Sequence, residues 1–201
     1  MLVKRWWSGH FALADWRMGW RVRDTVAPVM KPLLAHLELR GIRFLLIGGR
    51  GLEAHGYVRN TRDVDLLISL AERDEIGKGL CDFGYVLRVE TSIFSRWRCP
   101  DPEVEDIDLL YVDPGTFAKL DADAVEMDLG NLVVRVPSVA GMVSLKLHAM
   151  RNNPERRPRD SSDIQAILLL HPQALGLEEL RGLCERYGPP SIYDELKRGL
   201  P

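Results

Sequence analysis

The sequence predicts an α+β protein: a mixed β-sheet flanked by helices, with a helical C-terminal part. Three observations predict it. Short apolar runs alternate with helical segments from residue 24 to about residue 84. Between Tyr85 and Val136 the apolar period changes to two, the period of strands. From Ser138 onward the pattern is helical to the end. The chain therefore divides into a Trp/Arg-rich segment at 1–23, a mixed core at 24–137 and a helical part at 138–201.

Residues 1–23 hold Trp6, Trp7, Trp16 and Trp20 among Lys4, Arg5, Arg17, Arg21 and Arg23. Trp16 and Trp20 are four apart and share a helix face. They suit an amphipathic helix packed on the body or on a second subunit, or a base-stacking arm that grips phosphate. Asp24 is a candidate cap for a helix to Arg40, with Pro32 near its first turns and Gly41 as its stop. Ile42 to Ile47 reads as a buried strand, Arg50 to His55 as a short helix ended by Gly56, and Val64 to Leu70 as a second strand. Glu72–Phe83 reads as a helix stopped by Gly84. Tyr85–Glu90, Ser92–Arg98 and Val104–Val112 read as strands, the last closed by the turn signal Asp113-Pro114-Gly115. Val125–Leu129 and Leu132–Val136 suit a hairpin around Gly130-Asn131. Ser138 caps a helix to Arg151. A loop from Asn152 to Pro158 follows, then helices at Ser161–Leu170, Leu177–Tyr187 and Ile192–Arg198.

Composition bounds the function classes. The 201 residues are 46% hydrophobic and 28% charged, as in ordinary soluble globular proteins. Formal net charge is -2, so any grip on nucleic acid must come from a local basic patch. Cys81, Cys99 and Cys184 form no metal-ligand spacing, and an odd, scattered set suits a reducing compartment. The N-terminus has no apolar run of signal-peptide type, and no stretch approaches the roughly 20 apolar residues of a membrane span. The expectation is a cytoplasmic protein without a membrane partner.

The chemistry concentrates in residues 45–68, LLIGGRGLEAHGYVRNTRDVDLLI. Gly49-Arg50-Gly51-Leu52-Glu53-Ala54 fits the dinucleotide fingerprint G-x-G-x-x-A. A dinucleotide unit also needs a long crossover helix and an acid at the far end of the next strand. Here the helix has about two turns, and Asp63 and Asp65 head the next strand instead. A metal-carboxylate site fits better. Asp63 and Asp65 are two apart on a strand, so both side chains face one way with Cα atoms roughly 6.5–7 Å apart. Like charges so placed repel, and magnesium is a suitable compensating cation. Asp106 and Asp108 repeat the pattern on a later strand, from which Asp108 could complete a three-carboxylate cluster. Two metals about 3.5–4 Å apart would then stabilise the attacking and leaving oxygens of an in-line displacement. Gly48 and Gly49 would let the backbone approach a triphosphate. Arg59 and Thr61 could contact phosphate or ribose.

Gly48-Gly49, His55-Gly56 and Arg59-x-Thr61-x-Asp63-x-Asp65, with a third Asp on a later strand, resemble the nucleotidyltransferase fold superfamily of polymerase-beta-like enzymes. Within it the chain looks most like the abortive-infection (AbiEii-type) toxin nucleotidyltransferases and their bacterial relatives. The resemblance spans about residues 25–170 and includes Lys146 on a later helix, with Asp160 and Asp163 after it. It implies that Asp63 and Asp65 bind magnesium. It implies that Asp108 binds a second ion and serves as general base; the apolar residues after Asp108 match the Asp65-Leu66-Leu67 context and favour it over Asp106. Lys146 would neutralise triphosphate charge, and Asp163 would orient Lys146 or the nucleotide. The structural alternative for those two is a salt bridge between C-terminal helices. The implied activity moves an NMP from an NTP to an acceptor hydroxyl. The acceptor is expected to be tRNA or another RNA, on the strength of the basic loop Arg151, Arg156, Arg157 and Arg159; a solvated charged turn is the plain alternative. A toxin held by an antitoxin protein is one version. A nucleotide-binding or regulatory module without turnover is the rival reading. It is motivated by one departure: catalytic members have Ser or Thr soon after the first glycine, and here Arg50 and Gly51 stand there. Arg50 would have to substitute.

Overall fold

A computed structural model describes residues 30–200, apart from 62, 103 and 129–132. The Trp/Arg-rich segment, the proposed Asp24 cap and the Gly130-Asn131 turn lie outside the described residues. In chain order the elements are α1 (Met30–Leu39), β1 (Phe44–Ile47), α2 (Gly48–Ala54), β2 (Asp63–Ser69), α3 (Arg73–Asp82), β3 (Val86–Glu90), β4 (Phe94–Arg98) and β5 (Asp106–Val112). They continue with α4 (Pro114–Ala122), β6 (Val125–Asp128), β7 (Val133–Val136), α5 (Val139–Asn152), α6 (Arg157–Leu170), α7 (Leu177–Tyr187) and α8 (Ile192–Arg198). Among the described residues no helix is long and apolar enough to cross a membrane.

The main sheet has strand order β1-β2-β5-β4-β3, and β6 and β7 form a separate pair. β2 and β5 run parallel at its centre, with Asp63 opposite Asp106 and Asp65 opposite Asp108. The other pairings, β1 with β2, β5 with β4 and β4 with β3, are antiparallel. Alternation divides β2 and β5 into two faces. Val64, Leu66 and Ile68, with Ile107, Leu109 and Tyr111, belong to the main core, which α1, α3, α5, α6 and α8 complete. Leu67 on the other face joins Leu45, Ile47 and Phe117 in a smaller apolar cluster. On that second face each central strand begins in carboxylates and then turns apolar, with buried Leu67 on β2 and half-buried Leu110 and Val112 on β5.

Several boundaries differ from the sequence reading, for physical reasons. The segment after β5 is a helix, not a turn. Asp113 Oδ1 accepts the backbone N–H groups of Gly115 and Thr116, both at 3.0 Å, and Pro114 occupies the first helical position. Proline costs nothing there because that N–H has no helical partner anyway. Phe117 then anchors α4 in the second cluster. The loop after α5 is likewise mostly helical: Pro154–Arg156 form a 3-10 turn and α6 starts at Arg157, with Pro158 inside its first turn. α2 begins at Gly48 rather than Arg50, and the strands at 92–98 and 104–112 begin at Phe94 and Asp106. Gly41 ends α1 at φ 72°, a conformation that costs glycine nothing.

Candidate active site

The heads of β2 and β5 place three carboxylates together. Asp63, Asp65 and Asp108 each present an oxygen, and these oxygens lie within 4.8 Å of one another. Asp106 stands outside the group; its nearest cation is Arg98 at 4.0 Å. Thr61 Oγ1 donates to Asp63 Oδ1 at 3.0 Å and fixes that carboxylate. Gly48 makes the arrangement possible. Its φ is 62°, and a Cβ at that position would stand 1.8 Å from Asp65 Oδ2. Only glycine lets the chain leave β1 and still leaves room for Asp65. Burial, then repulsion from Asp63 and Asp108, pushes the Asp65 carboxyl up to about 6, although Arg156 and Lys146 oppose the rise. Among the described residues, the cations around Asp65 do not offset the burial and repulsion it meets.

Part of the compensation comes from β4. Arg96 lies opposite Asp108 in the antiparallel ladder. Its Nε and Nη2 donate to the two Asp108 oxygens at 2.8 and 2.6 Å, a bidentate pair. Arg96 is nearly half exposed while Asp108 is buried, so the pair is open to solvent on the arginine side.

The opposite wall is built by α5, the turn after it and α6. Lys146 is buried, and its Nζ donates to Asp160 Oδ1 at 3.1 Å and Asp163 Oδ2 at 2.6 Å. Arg59, from the segment before β2, places Nε 3.2 Å from Asp163 Oδ1. Arg156 Nε donates to Asp160 Oδ2 at 2.9 Å. Between the two walls lies a cavity of about 430 Å³. Gly48, Arg59, Asp63, Asp65, Arg96, Asp108, Lys146, Arg156 and Arg159 give it polar walls, and Ile47, Phe94, Leu110, Met142 and Leu145 supply apolar ones.

The order of strands and helices around this cavity has counterparts among solved structures. The chain has a TM-score of 0.59 with ANT(2")-Ia in complex with adenylyl-2"-tobramycin, at 16% identity, over 79% of this chain and 94% of that one. It has the nucleotidyltransferase fold. An antigenic nucleotidyltransferase-like protein from Paracoccidioides brasiliensis gives 0.52 at 18% identity, over 86% and 92% of the two chains. The Megavirus polyadenylate synthase gives 0.53 at 13% identity, over 74% of this chain and 32% of that one. No protein-family model matches the sequence. No curated protein sequence matches it.

On this nucleotidyltransferase fold the residues singled out in the sequence separate. Asp63, Asp65, Asp108, Gly48, Arg59 and Lys146 line the cavity. Asp163 lies behind Lys146 and Arg59 and holds both. Gly49 packs on Thr61, whose Cβ would be 2.8 Å from an added Cβ, so its smallness serves packing. Arg50 is not among the cavity-lining residues; it pairs with Glu53 at 2.8 Å and with Glu105. Arg50 is thus held by two acids, one on its own helix and one just before β5.

His55 is structural too. It is buried, its Nε2 is 2.8 Å from the Pro137 carbonyl oxygen, and burial lowers its basicity. A neutral ring donating that hydrogen ties the end of α2 to the segment entering α5. The basic loop splits: Arg157 reaches Glu195 and Arg151 reaches the Arg186 carbonyl, while Arg156 and Arg159 face the cavity.

Arg96 and Phe94 were not anticipated from sequence. The signal was the alternation of β4, which buries Ser95 and Trp97 and turns Phe94, Arg96 and Arg98 the other way.

Proposed function

We propose that the protein is a metal-dependent nucleotidyltransferase that moves an NMP from an NTP to an acceptor hydroxyl. The observation that carries the reading is the three-carboxylate cluster facing a cationic wall across one cavity. The cluster fits divalent magnesium: it is all hard oxygen donors, its charges repel one another, and among the described residues no cation pairs with Asp65 closely enough to hold its carboxyl down. Asp63, Asp65 and Asp108 would hold two such ions, which when bound supply charge neutralisation on the phosphate oxygens.

The chain's own residues do the rest. Asp108 takes the proton of the acceptor hydroxyl once Arg96 releases one of its oxygens. The acceptor oxygen forms a bond to the α-phosphorus, the bond to the bridging oxygen breaks, and pyrophosphate leaves with that electron pair. Arg59 and Lys146, held by Asp163, favour the negative charge on the phosphates, so catalysis is mainly positioning and electrostatic. Thr61 keeps Asp63 in place. Gly48 gives the backbone close approach to the reacting phosphates. On this reading the sheet and its helices are the nucleotidyltransferase core, and α5, the turn after it and α6 supply most of its cationic wall.

For the acceptor the reading favours tRNA or another RNA in the cytoplasm. The AbiEii-type resemblance adds the further possibility of a toxin paired with an antitoxin. A gene for a small winged-helix antitoxin beside this one would support that pairing. The second reading, a binding module without turnover, draws on the absent loop hydroxyl and on the commitment of Arg50 to Glu53 and Glu105.

The test is to incubate the protein with each labelled NTP, magnesium, and total tRNA or cell extract, beside Asp63→Ala/Asp65→Ala. Label transfer by the wild type alone is the expected result. Transfer that survives in the double variant would sink the metal-site reading. Magnesium-dependent NTP binding without transfer to any acceptor would favour the binding module.

A further inference from the structure

We infer that Arg159 and Arg156 hold the terminal phosphates of the nucleotide, so that recognition of the polyphosphate tail sits at the start of α6 instead of in the glycine segment. The inference rests on the nucleotidyltransferase reading above and deepens it.

Three observations lead there. First, the glycine segment offers no side chain for the task. Residues 48–51 are Gly-Gly-Arg-Gly, and their one polar side chain is engaged by Glu53 and Glu105. Second, the other cations of the wall already share their charge with acids, so they offset only part of the charge of a polyphosphate. Lys146 is buried and gives hydrogens to both Asp160 and Asp163. Arg59 is paired with Asp163 as well. Third, Arg159 is exposed, lines the same cavity as the carboxylate cluster, and has no hydrogen-bond or ion-pair partner among the described residues. Arg156, one turn earlier, touches Asp160 through Nε, which leaves Nη donors of its guanidinium uncommitted.

The charge balance of the wall agrees. Asp160 and Asp163 pair with Arg59, Lys146 and Arg156, and Arg159 adds a further cation that forms no ion pair among the described residues. Arginines at the start of a helix also oppose its dipole, a local cost that a bound polyanion would offset. The guanidinium fork suits phosphate oxygens two at a time. The α-phosphate is not part of this contact: it belongs at the carboxylates across the cavity. The arginines therefore distinguish a nucleotide with β- and γ-phosphates from one without them.

The experiment uses the whole chain with magnesium and measures equilibrium binding of a labelled NTP, of the matching NMP and of inorganic tripolyphosphate. Arg159→Gln is the main variant, because its side chain holds nothing else in place. Arg157→Gln, which loses only the Glu195 contact, controls for general loss of positive charge. The expected result is about a tenfold weakening of NTP and tripolyphosphate binding in Arg159→Gln, the size of one charged hydrogen-bonded contact, with NMP binding within about twofold. Arg159→Lys should recover part of the loss, and Arg157→Gln should bind like the wild type.

Equal NTP affinity in Arg159→Gln and wild type would overturn this assignment and leave the nucleotidyltransferase reading standing. So would weakened tRNA binding with NTP and tripolyphosphate untouched, which would return these arginines to the acceptor. A wild-type protein that binds no NTP with magnesium would overturn both.

Discussion

Asp65 carries the electrostatic cost of the carboxylate cluster. A carboxyl raised to about 6 from an ordinary 3.8 binds its proton more tightly in the folded chain than in the unfolded one. The stability this gives is fully present below 3.8 and is lost as pH rises through about 6. In metal-free protein, Asp65 therefore makes stability fall with rising pH across that window, by at most about 1.4 kcal/mol per pH unit. Asp65→Asn removes the term. Urea unfolding in chelator at pH 4.5 and pH 7 should show a smaller loss, or a larger gain, on going to pH 7 in Asp65→Asn than in the wild type. Matching changes in the two proteins would mean that Asp65 is not the strained member of the cluster. The single residue behind it is Gly48, where any side chain would occupy the space of the Asp65 carboxylate.

At the scale of elements, the helices of the C-terminal part are joined to the site by ions rather than by apolar packing alone. Lys146 on α5 binds Asp160 and Asp163 on α6, and both acids are almost wholly buried. Removing the lysine leaves two buried carboxylates with only Arg156 and Arg59. Breaking one partner of such a group costs about 3–5 kcal/mol. Because those arginines remain, Lys146→Met should lose about 3 kcal/mol, or roughly 6–12 °C in melting temperature. Lys146→Met/Asp163→Leu should lose less than the sum of the two single changes. A loss under about 1 kcal/mol in Lys146→Met would show that the network adds little to the folded state.

The same elements show what was legible in the sequence. α7 and α8 match their apolar spacing residue for residue, and the Asp-x-Asp strands could be located because alternation needs no tertiary information. α4 was missed because Asp-Pro-Gly is both a turn and the start of a helix. The choice depends on Phe117 finding a pocket under the sheet. The Glu53 partner of Arg50 stands three residues away and was readable; Glu105 is 55 positions away and was not. Arg96 was hidden for the same reason, since only the ladder register brings it to Asp108.

At the scale of the whole molecule, the acids of the cluster belong to the two central strands, so a cation that binds them clamps β2 to β5 where both are also part of the main core. Binding energy gained there is folding energy for the entire sheet, because the unfolded chain does not assemble the three carboxylates. Magnesium at about a hundred times its dissociation constant should add about 2.7 kcal/mol, which in a chain of this size raises the melting temperature by roughly 5–11 °C. Two features of the structure set the shape of that effect. Arg96 already neutralises Asp108 in the absence of metal, so it competes for the same oxygens, and Arg96→Gln should give a lower metal-free melting temperature and a larger magnesium shift. Asp63→Ala/Asp65→Ala should show the reverse: relief of the repulsion raises the metal-free value, and the magnesium shift disappears. Thermal unfolding of the three proteins with and without magnesium reads all of these at once. A shift of equal size in Asp63→Ala/Asp65→Ala would place the ion elsewhere in the molecule.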